Sequence, residues 1–371
     1  METYDFSPEE NKQFEEEYEK TKSPRPTVLV CGWTGSGKSS LIKAMLDVDA
    51  PISDGTPCTQ QFDVYENDLI RVYDSKGMEK GESVPAFVQK LDKFIKERST
   101  INDIEKSIHL IWYVIDAVAC RFDNGDAEII KELYQLVGQQ RVVFVITKCD
   151  AARKPQIDGL IEVLKQKCDA ADRAIIPVCD EEGLKDERTP QEIKDGLHSL
   201  LKHSYYILPD AVRDAWAMAQ KLDIEMKLDL ITKKKAKAVS IITGSTALAA
   251  AAAAVPIPLG NTVAITGIQV TMVASLAALY TIGIPKESIL PFVAAVAGRQ
   301  AAASLLALIP GLGSFINASV AVTFTGGIGT YCTAVFEKAA IARAKGEKIP
   351  DLALDSKQIM RYIKEYTANR K

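Results

Sequence analysis

Residues 27–40 read TVLVCGWTGSGKSS, an apolar β-branched run that turns directly into a glycine-rich loop. The loop fits G-x-x-x-x-G-K-[ST] through Gly32, Gly37, Lys38 and Ser39, with strand character before it and helical periodicity after it. The residue types follow from what a polyphosphate demands. Glycines let successive backbone N–H groups converge on one anion, so Gly32, Thr34, Gly35, Ser36 and Gly37 are expected to cradle phosphates. The helix opening near Lys38 and continuing through Ser39 and Ser40 adds its positive end. Lys38 is expected on the β and γ phosphates, and the Ser39 hydroxyl on Mg²⁺.

Outward from the loop, strands are expected at Thr27–Cys31, Phe62–Glu66, Leu69–Tyr73, Ile108–Ile115, Val142–Ile146 and Ala174–Val178. Helical stretches fall near Lys38–Leu46, Val84–Arg98, Ala127–Val137, Ile157–Lys167 and Gln191–Ser204. Continuously apolar runs such as VVFVIT fit strands buried on both faces of a mainly parallel sheet. The alternation implies a doubly wound α/β layer structure over residues 24–208.

The base and the metal need further groups. TKCD follows the VVFVI strand about 110 residues after the loop, and the Asp150 carboxylate could accept from both N1–H and the 2-amino group of guanine. Adenine offers neither donor and would leave that carboxylate unpaired, at a cost of about 1–3 kcal/mol or more. The Lys148 stem could cover the base, and Thr147 opens the same segment. DSKG gives D-x-x-G through Asp74, a metal candidate through water, and Gly77, whose N–H could sense a γ-phosphate. In ISDGTPCTQQ, Thr59 is preferred over Thr56 as a metal-binding hydroxyl. Cys179 and Asp180 of AIIPVCDEEG are expected at the guanine O6 edge, largely through backbone N–H groups.

The order GWTGSGKSS, Thr59, DSKG, TKCD and VCD resembles the P-loop GTPases of the translation-factor class, in its Era/TrmE-like and immunity-related branch. The resemblance implies a doubly wound G domain with a mainly parallel sheet, GTP and GDP as ligands, Mg²⁺ as cofactor and hydrolysis of GTP to GDP and phosphate. It departs at Thr147, where that class usually has Asn, at Asp180, where a small residue is common, and at Met78. A Gln after the D-x-x-G glycine orients the attacking water in many switch GTPases; a thioether does not. Slow turnover is therefore expected, completed by Gln60, Gln61, a backbone carbonyl or a second G domain. Trp33 inside the loop is read as covering the nucleotide or touching a partner. Cys31, His109 and Trp112 read as packing residues.

The remainder of the 371 residues has a different grammar. The formal charge is −4, but residues 239–371 carry 11 Lys and Arg against 6 Asp and Glu, a net +5, which leaves −9 for residues 1–238. Eight acids in the first twenty residues suggest a solvated helix or tail over 1–23. A charged connecting helix is expected over 209–238, then an all-α, Ala/Gly-rich domain over 239–345 and an amphipathic tail over 346–371. Residues 239–285 form an uncharged run of 47, and four apolar helices are expected at 239–255, 261–284, 288–309 and 313–336. Spanning a bilayer takes about 20 apolar residues. Lys233–Lys237 and Lys338, Arg343 and Lys345 fit cytosolic flanks, and Gly244, Gly267, Gly298, Gly326 and Gly329 fit close helix contacts in lipid.

Gln269 and Arg299–Gln300 favour a soluble bundle instead, so both readings stand. The segment from AVPIPLGNTVAITGIQV to TFTGGIGTYCTAVFEKA is similar to a bacterial domain of unknown function that follows Era-like G domains and occurs in inner-membrane proteins. Seven cysteines without C-x-x-C spacing, and no amino-terminal apolar signal, suggest reduced thiols and a cytoplasmic G domain, inner-membrane-associated or fully cytoplasmic. Expected partners are a guanine nucleotide, a second copy through the G domains and membrane lipid. DNA is not expected, and the acidic front half argues against RNA or the ribosome.

Overall fold

A computed structural model describes residues 7–48, 62–77, 83–98, 104, 107–254, 260–281, 284, 286–297, 318–350, 352 and 355–368. The chain divides into two compact units, Pro24–Asp223 and a second that combines Met1–Ser23 with Ile224–Lys371.

The first unit is built on a six-stranded sheet of order β2-β3-β1-β4-β5-β6. Its strands are β1 (Thr27–Gly32), β2 (Phe62–Glu66), β3 (Arg71–Ser75), β4 (Leu110–Asp116), β5 (Val142–Thr147) and β6 (Ile175–Pro177). β2 and β3 pair antiparallel; the other neighbours pair parallel. Every residue of β1 and β5 is buried, as continuously apolar central strands require. The third strand begins two residues later than expected because the Asn67 side chain accepts the Leu69 and Ile70 N–H groups, which commits residues 67–70 to a turn.

Helices α2 (Lys38–Met45), α3 (Val84–Arg98), α4 (Asn124–Val137) and α5 (Lys154–Cys168) follow the expected alternation. The stretch expected as one helix at Gln191–Ser204 is two, α7 (Gln191–Lys194) and α8 (Gly196–Ile207), after a short α6 (Glu181–Lys185). α9 (Asp210–Ala219) closes the unit: Trp216 is buried edge-on against Trp112 of β4, with ring centroids 5.8 Å apart.

In the second unit, α1 (Pro8–Thr21) gives the helix of the expected solvated helix or tail over residues 1–23, but with one face buried. Its Ser7–Glu10 capping box starts the helix, and buried Phe14 and Tyr18 form an i, i+4 stripe beneath the acids. α1 packs along α11 (Gly260–Tyr280): Gln13 Nε2 donates to the Gly267 carbonyl at 3.1 Å and to Thr271 Oγ1 at 2.9 Å. Ser275 Oγ donates to Glu17 at 2.9 Å.

α10 runs unbroken from Ile224 to Ala254, so the boundary placed at 238/239 lies inside one helix. Lysine is a good helix former, and a change from charged to apolar does not interrupt a helix. α12 (Lys286–Ala297), α13 (Ala318–Ala344) and α14 (Ser356–Ala368) complete the described helices. Of the glycines expected at close helix contacts, Gly326 and Gly329 pack closely against elements of this chain, whereas Gly244 meets nothing within 4 Å of where its Cβ would stand. Gly326 and Gly327 leave room for Tyr366 and Ile363 of α14, and Gly329 faces Ile242 and Met272. Among the described residues, three helices, Ile224–Ala254, Val263–Tyr280 and Ala318–Ala344, are long and apolar enough to cross a membrane. Gly298, Arg299 and Gln300 lie outside the described residues, as do most of the expected helix 288–309 and the first part of 313–336.

Candidate functional site

The phosphate loop connects β1 to α2 where the strand passes closest to β4. Gly32 sits at φ 141°, and a Cβ there would run into the Val114 backbone. Gly37, at φ 90°, precedes α2 without a side-chain cap, so the first N–H groups of that helix are not satisfied by a capping side chain. Lys38 is buried beneath the loop and donates to the Trp33 carbonyl at 3.0 Å and the Gly32 carbonyl at 3.4 Å. Burial pulls its pKa down, opposed by the Asp74 carboxylate. The same burial pushes the Cys31 thiol up to about 12, making it a protonated core residue.

Three other segments meet the loop. Ser39 Oγ donates to Asp74 Oδ2 at 2.6 Å at the end of β3. Asp74 Oδ1 is buried without a hydrogen-bond partner among the described residues. A hydroxyl and an orphaned carboxylate oxygen form an oxygen donor set suited to Mg²⁺ held through water. Burial raises the Asp74 pKa, against the Ser39 hydrogen bond and Lys38, and a divalent cation would favour its ionised form. Gly77, at φ 78°, lies against the loop so closely that a Cβ would come within 2.6 Å of Thr34 N and 2.9 Å of Lys38 Nζ. The Thr34 hydroxyl donates to the Lys76 carbonyl at 3.1 Å.

On the base side, Lys148 adopts φ 57° and donates to the Gly35 carbonyl at 2.9 Å and to Asp116 Oδ2 at 2.5 Å. Burial raises the Asp116 pKa, but Lys148 and the Val118 and Ala119 N–H groups outweigh it, so it stays below the usual carboxylate range. The Thr147 hydroxyl lies 2.6 Å from the buried Ser36 carbonyl, which places it as a strut of the loop. Asp150 Oδ1 is buried without a partner among the described residues, in keeping with an acceptor awaiting a donor pair. Gly183 leaves room for Asp150 and Cys179, whose Cβ atoms stand 2.6 and 2.7 Å from where its own Cβ would be. The Cys179 thiol is buried in the core, leaving only its backbone for a base, and Asp180 Oδ1 accepts the Gly183 N–H at 3.0 Å. Ser40 is exposed on α2. Thr56, Thr59, Gln60, Gln61 and Met78 lie outside the described residues.

Two contacts at the loop carry no sequence signal at short range. Asp116 is the last residue of the buried strand β4 and looks like an ordinary strand end. Trp33 was read as a nucleotide cover or partner contact, but its indole N–H donates to buried Asp126 of α4 at 2.8 Å.

Residues 27–148 match the family described as 50S ribosome-binding GTPase. No curated protein matches the chain. Among solved structures, a probable GTP-binding protein engB shares 18% identity, covering 49% of this chain and 97% of that one at a TM-score of 0.35. A GDP-bound NFeoB mutant from S. thermophilus shares 12% identity, covering 92% and 98% at a TM-score of 0.28. The loop, the Ser39–Asp74 pair and the strand order form a G-domain fold, within which residues 27–148 match that GTPase family.

Proposed function

We propose that the chain is a GTP-binding switch with slow, Mg²⁺-dependent hydrolysis, completed by a second G domain or another partner. The observation that carries this reading is the convergence of Lys38, Ser39–Asp74 and Lys148 on a single loop. On binding, the Lys38 ammonium exchanges two backbone carbonyls for β and γ phosphate oxygens, while loop N–H groups take up the charge that develops in the transition state. Ser39, Asp74 and Thr59 would hold Mg²⁺, which would supply charge neutralisation to the polyphosphate. Gly77 reports the γ-phosphate through its N–H, and Asp150 selects guanine. With Met78 where a water-orienting Gln is common, intrinsic turnover is slow.

Calorimetric titration of the full chain with GDP and GTP tests the reading, and absence of heat with both overturns it. Asp150→Asn should shift preference towards xanthosine nucleotides; unchanged guanine selectivity would displace the base contact. A nucleotide-binding regulatory protein without useful turnover is the second reading, favoured by Met78, and single-turnover assays with and without liposomes separate the two.

For the helical unit we propose association with membrane lipid. Its support is the long apolar helices among the described residues and the exposed apolar side chains Val239 and Leu248 of α10, each 61% exposed. The fully cytoplasmic alternative is favoured by α1, whose acids lie against the apolar helices, Glu17 on Ser275 of α11 and Glu15 on Lys286 of α12. Such charges are costly in hydrocarbon. Carbonate-washed membranes from fractionated cells decide between them by where the chain remains.

A further inference from the structure

The phosphate loop is tethered to α4 by one side-chain contact. Trp33 is half-buried, and its indole N–H donates to Asp126 Oδ1 at 2.8 Å. The same oxygen accepts the buried Tyr113 hydroxyl of β4 at 2.5 Å, and Asp126 Oδ2 accepts the Asp123 N–H at 2.9 Å. Asp126 is 1% exposed. Asp123 in turn caps the Gly125 and Asp126 N–H groups, so the acceptor is fixed by a strand, a helix cap and a core tyrosine at once. The outer face of the Trp33 ring is covered by Arg121, whose guanidinium carbon stands 3.8 Å from the ring centroid.

This arrangement bears on Lys38. The carbonyl of Trp33 is the closer of the two groups that hold the Lys38 ammonium. A ligand that draws Lys38 away removes one restraint on that peptide. The Ser36 N–H, which donates to the same carbonyl at 3.2 Å, and the indole–carboxylate bond stay, and the second of these is the one that ties it to another element. Burial of the acceptor makes that bond costly to break.

We infer that Asp126 is a positioning residue for phosphate binding, acting through the Trp33 indole to hold the loop in its ligand-ready form. The inference deepens the GTPase reading but does not require guanine, because it concerns the phosphates alone. Trp33→Phe removes the N–H while keeping an aromatic ring beneath Arg121. Asp126→Asn keeps an oxygen acceptor for Trp33 and Tyr113 but places an amide donor against the Asp123 N–H, fraying the cap. The two variants therefore separate the latch from the fold.

The test titrates the full-length wild type and both variants with GDP, GTP and inorganic tripolyphosphate, alongside thermal melts. Trp33→Phe is expected to weaken all three ligands about tenfold with little change in melting temperature. Asp126→Asn is expected to melt earlier while binding within about threefold of wild type. In 5-fluorotryptophan-labelled protein, the ¹⁹F resonance of Trp33, assigned by its absence in Trp33→Phe, should shift on saturation with tripolyphosphate. Wild-type affinity in Trp33→Phe, or an unmoved Trp33 resonance, overturns the inference. Tripolyphosphate binding without a guanine preference defeats the base reading and leaves this one standing. No binding of any of the three ligands defeats both.

Discussion

The Thr147 hydroxyl and the Ser36 carbonyl, 111 residues apart, are 2.6 Å from one another and both buried. The TKCD segment is thereby fastened to the glycine-rich loop. Thr147→Val keeps the shape of the side chain and removes the donor. Leaving a buried carbonyl unsatisfied costs about 1–3 kcal/mol. Denaturant melts should show that loss, and GDP affinity should fall roughly tenfold as the loop loosens. Thr147→Ser should restore most of both.

At the other edge of the loop, Ser39 and Asp74 form the pair that fits a divalent cation. Asp74→Asn retains an acceptor for the Ser39 hydroxyl and removes the negative charge. Titrations with and without Mg²⁺ should then show that the metal no longer tightens GTP binding, while metal-free GDP binding changes little. Hydrolysis should fall by roughly a hundredfold or more, the share that a cation's charge stabilisation contributes.

Much of this was legible locally. Phe62–Glu66 and Val84–Arg98 stand at the residues expected from periodicity alone, because each buries one clear face and ends at polar residues. The loop motif, DSKG and TKCD were legible because phosphate and base chemistry constrain residue type at short spacing. What was not legible is long-range. Trp33 and Asp126 are 93 residues apart, and nothing near either marks a buried acceptor. Charge counting concealed the buried face of α1, since eight acids outnumber the Phe14–Tyr18 stripe that decides where the helix goes. The helix expected at Gln191–Ser204 divides where Gly196 packs against the Pro177 carbonyl, a tertiary contact that periodicity does not encode.

His109 supplies a pH dependence. Its Nδ1 accepts the Thr27 N–H at 2.9 Å where β1 begins, so it must be neutral in the folded state. Burial, and then the nearby Arg141 charge, push its pKa down from 6.5 to about 4. Between those values the unfolded chain binds the proton and the folded chain does not, so stability rises with pH across that window. The contribution is complete above pH 6.5 and lost as pH falls towards 4, amounting to at most about 3 kcal/mol. Urea melts of wild type and His109→Asn from pH 4 to 8 should converge at low pH and differ in slope between these limits.

Two glycines in long apolar helices should respond in opposite directions to the same substitution. Replacing a helical Gly by Ala gains about 1 kcal/mol of propensity wherever the added methyl meets open space. Gly244 of α10 is such a site, with nothing within 4 Å of where its Cβ would stand. Gly327 of α13 is not: its Cβ would lie 2.6 Å from the Ile363 Cα, a backbone atom of α14 that no rotamer change can move. Overpacking of this kind costs typically 1–3 kcal/mol, which exceeds the propensity gain. Gly244→Ala should therefore raise the denaturation midpoint, and Gly327→Ala should lower it. Loss of the α13–α14 contact should also expose Ile363, now 4% accessible, so limited proteolysis should release the C-terminal helix from Gly327→Ala before it does so from wild type. If both substitutions stabilise equally, α14 does not pack on Gly327, and the amphipathic tail covers some other surface.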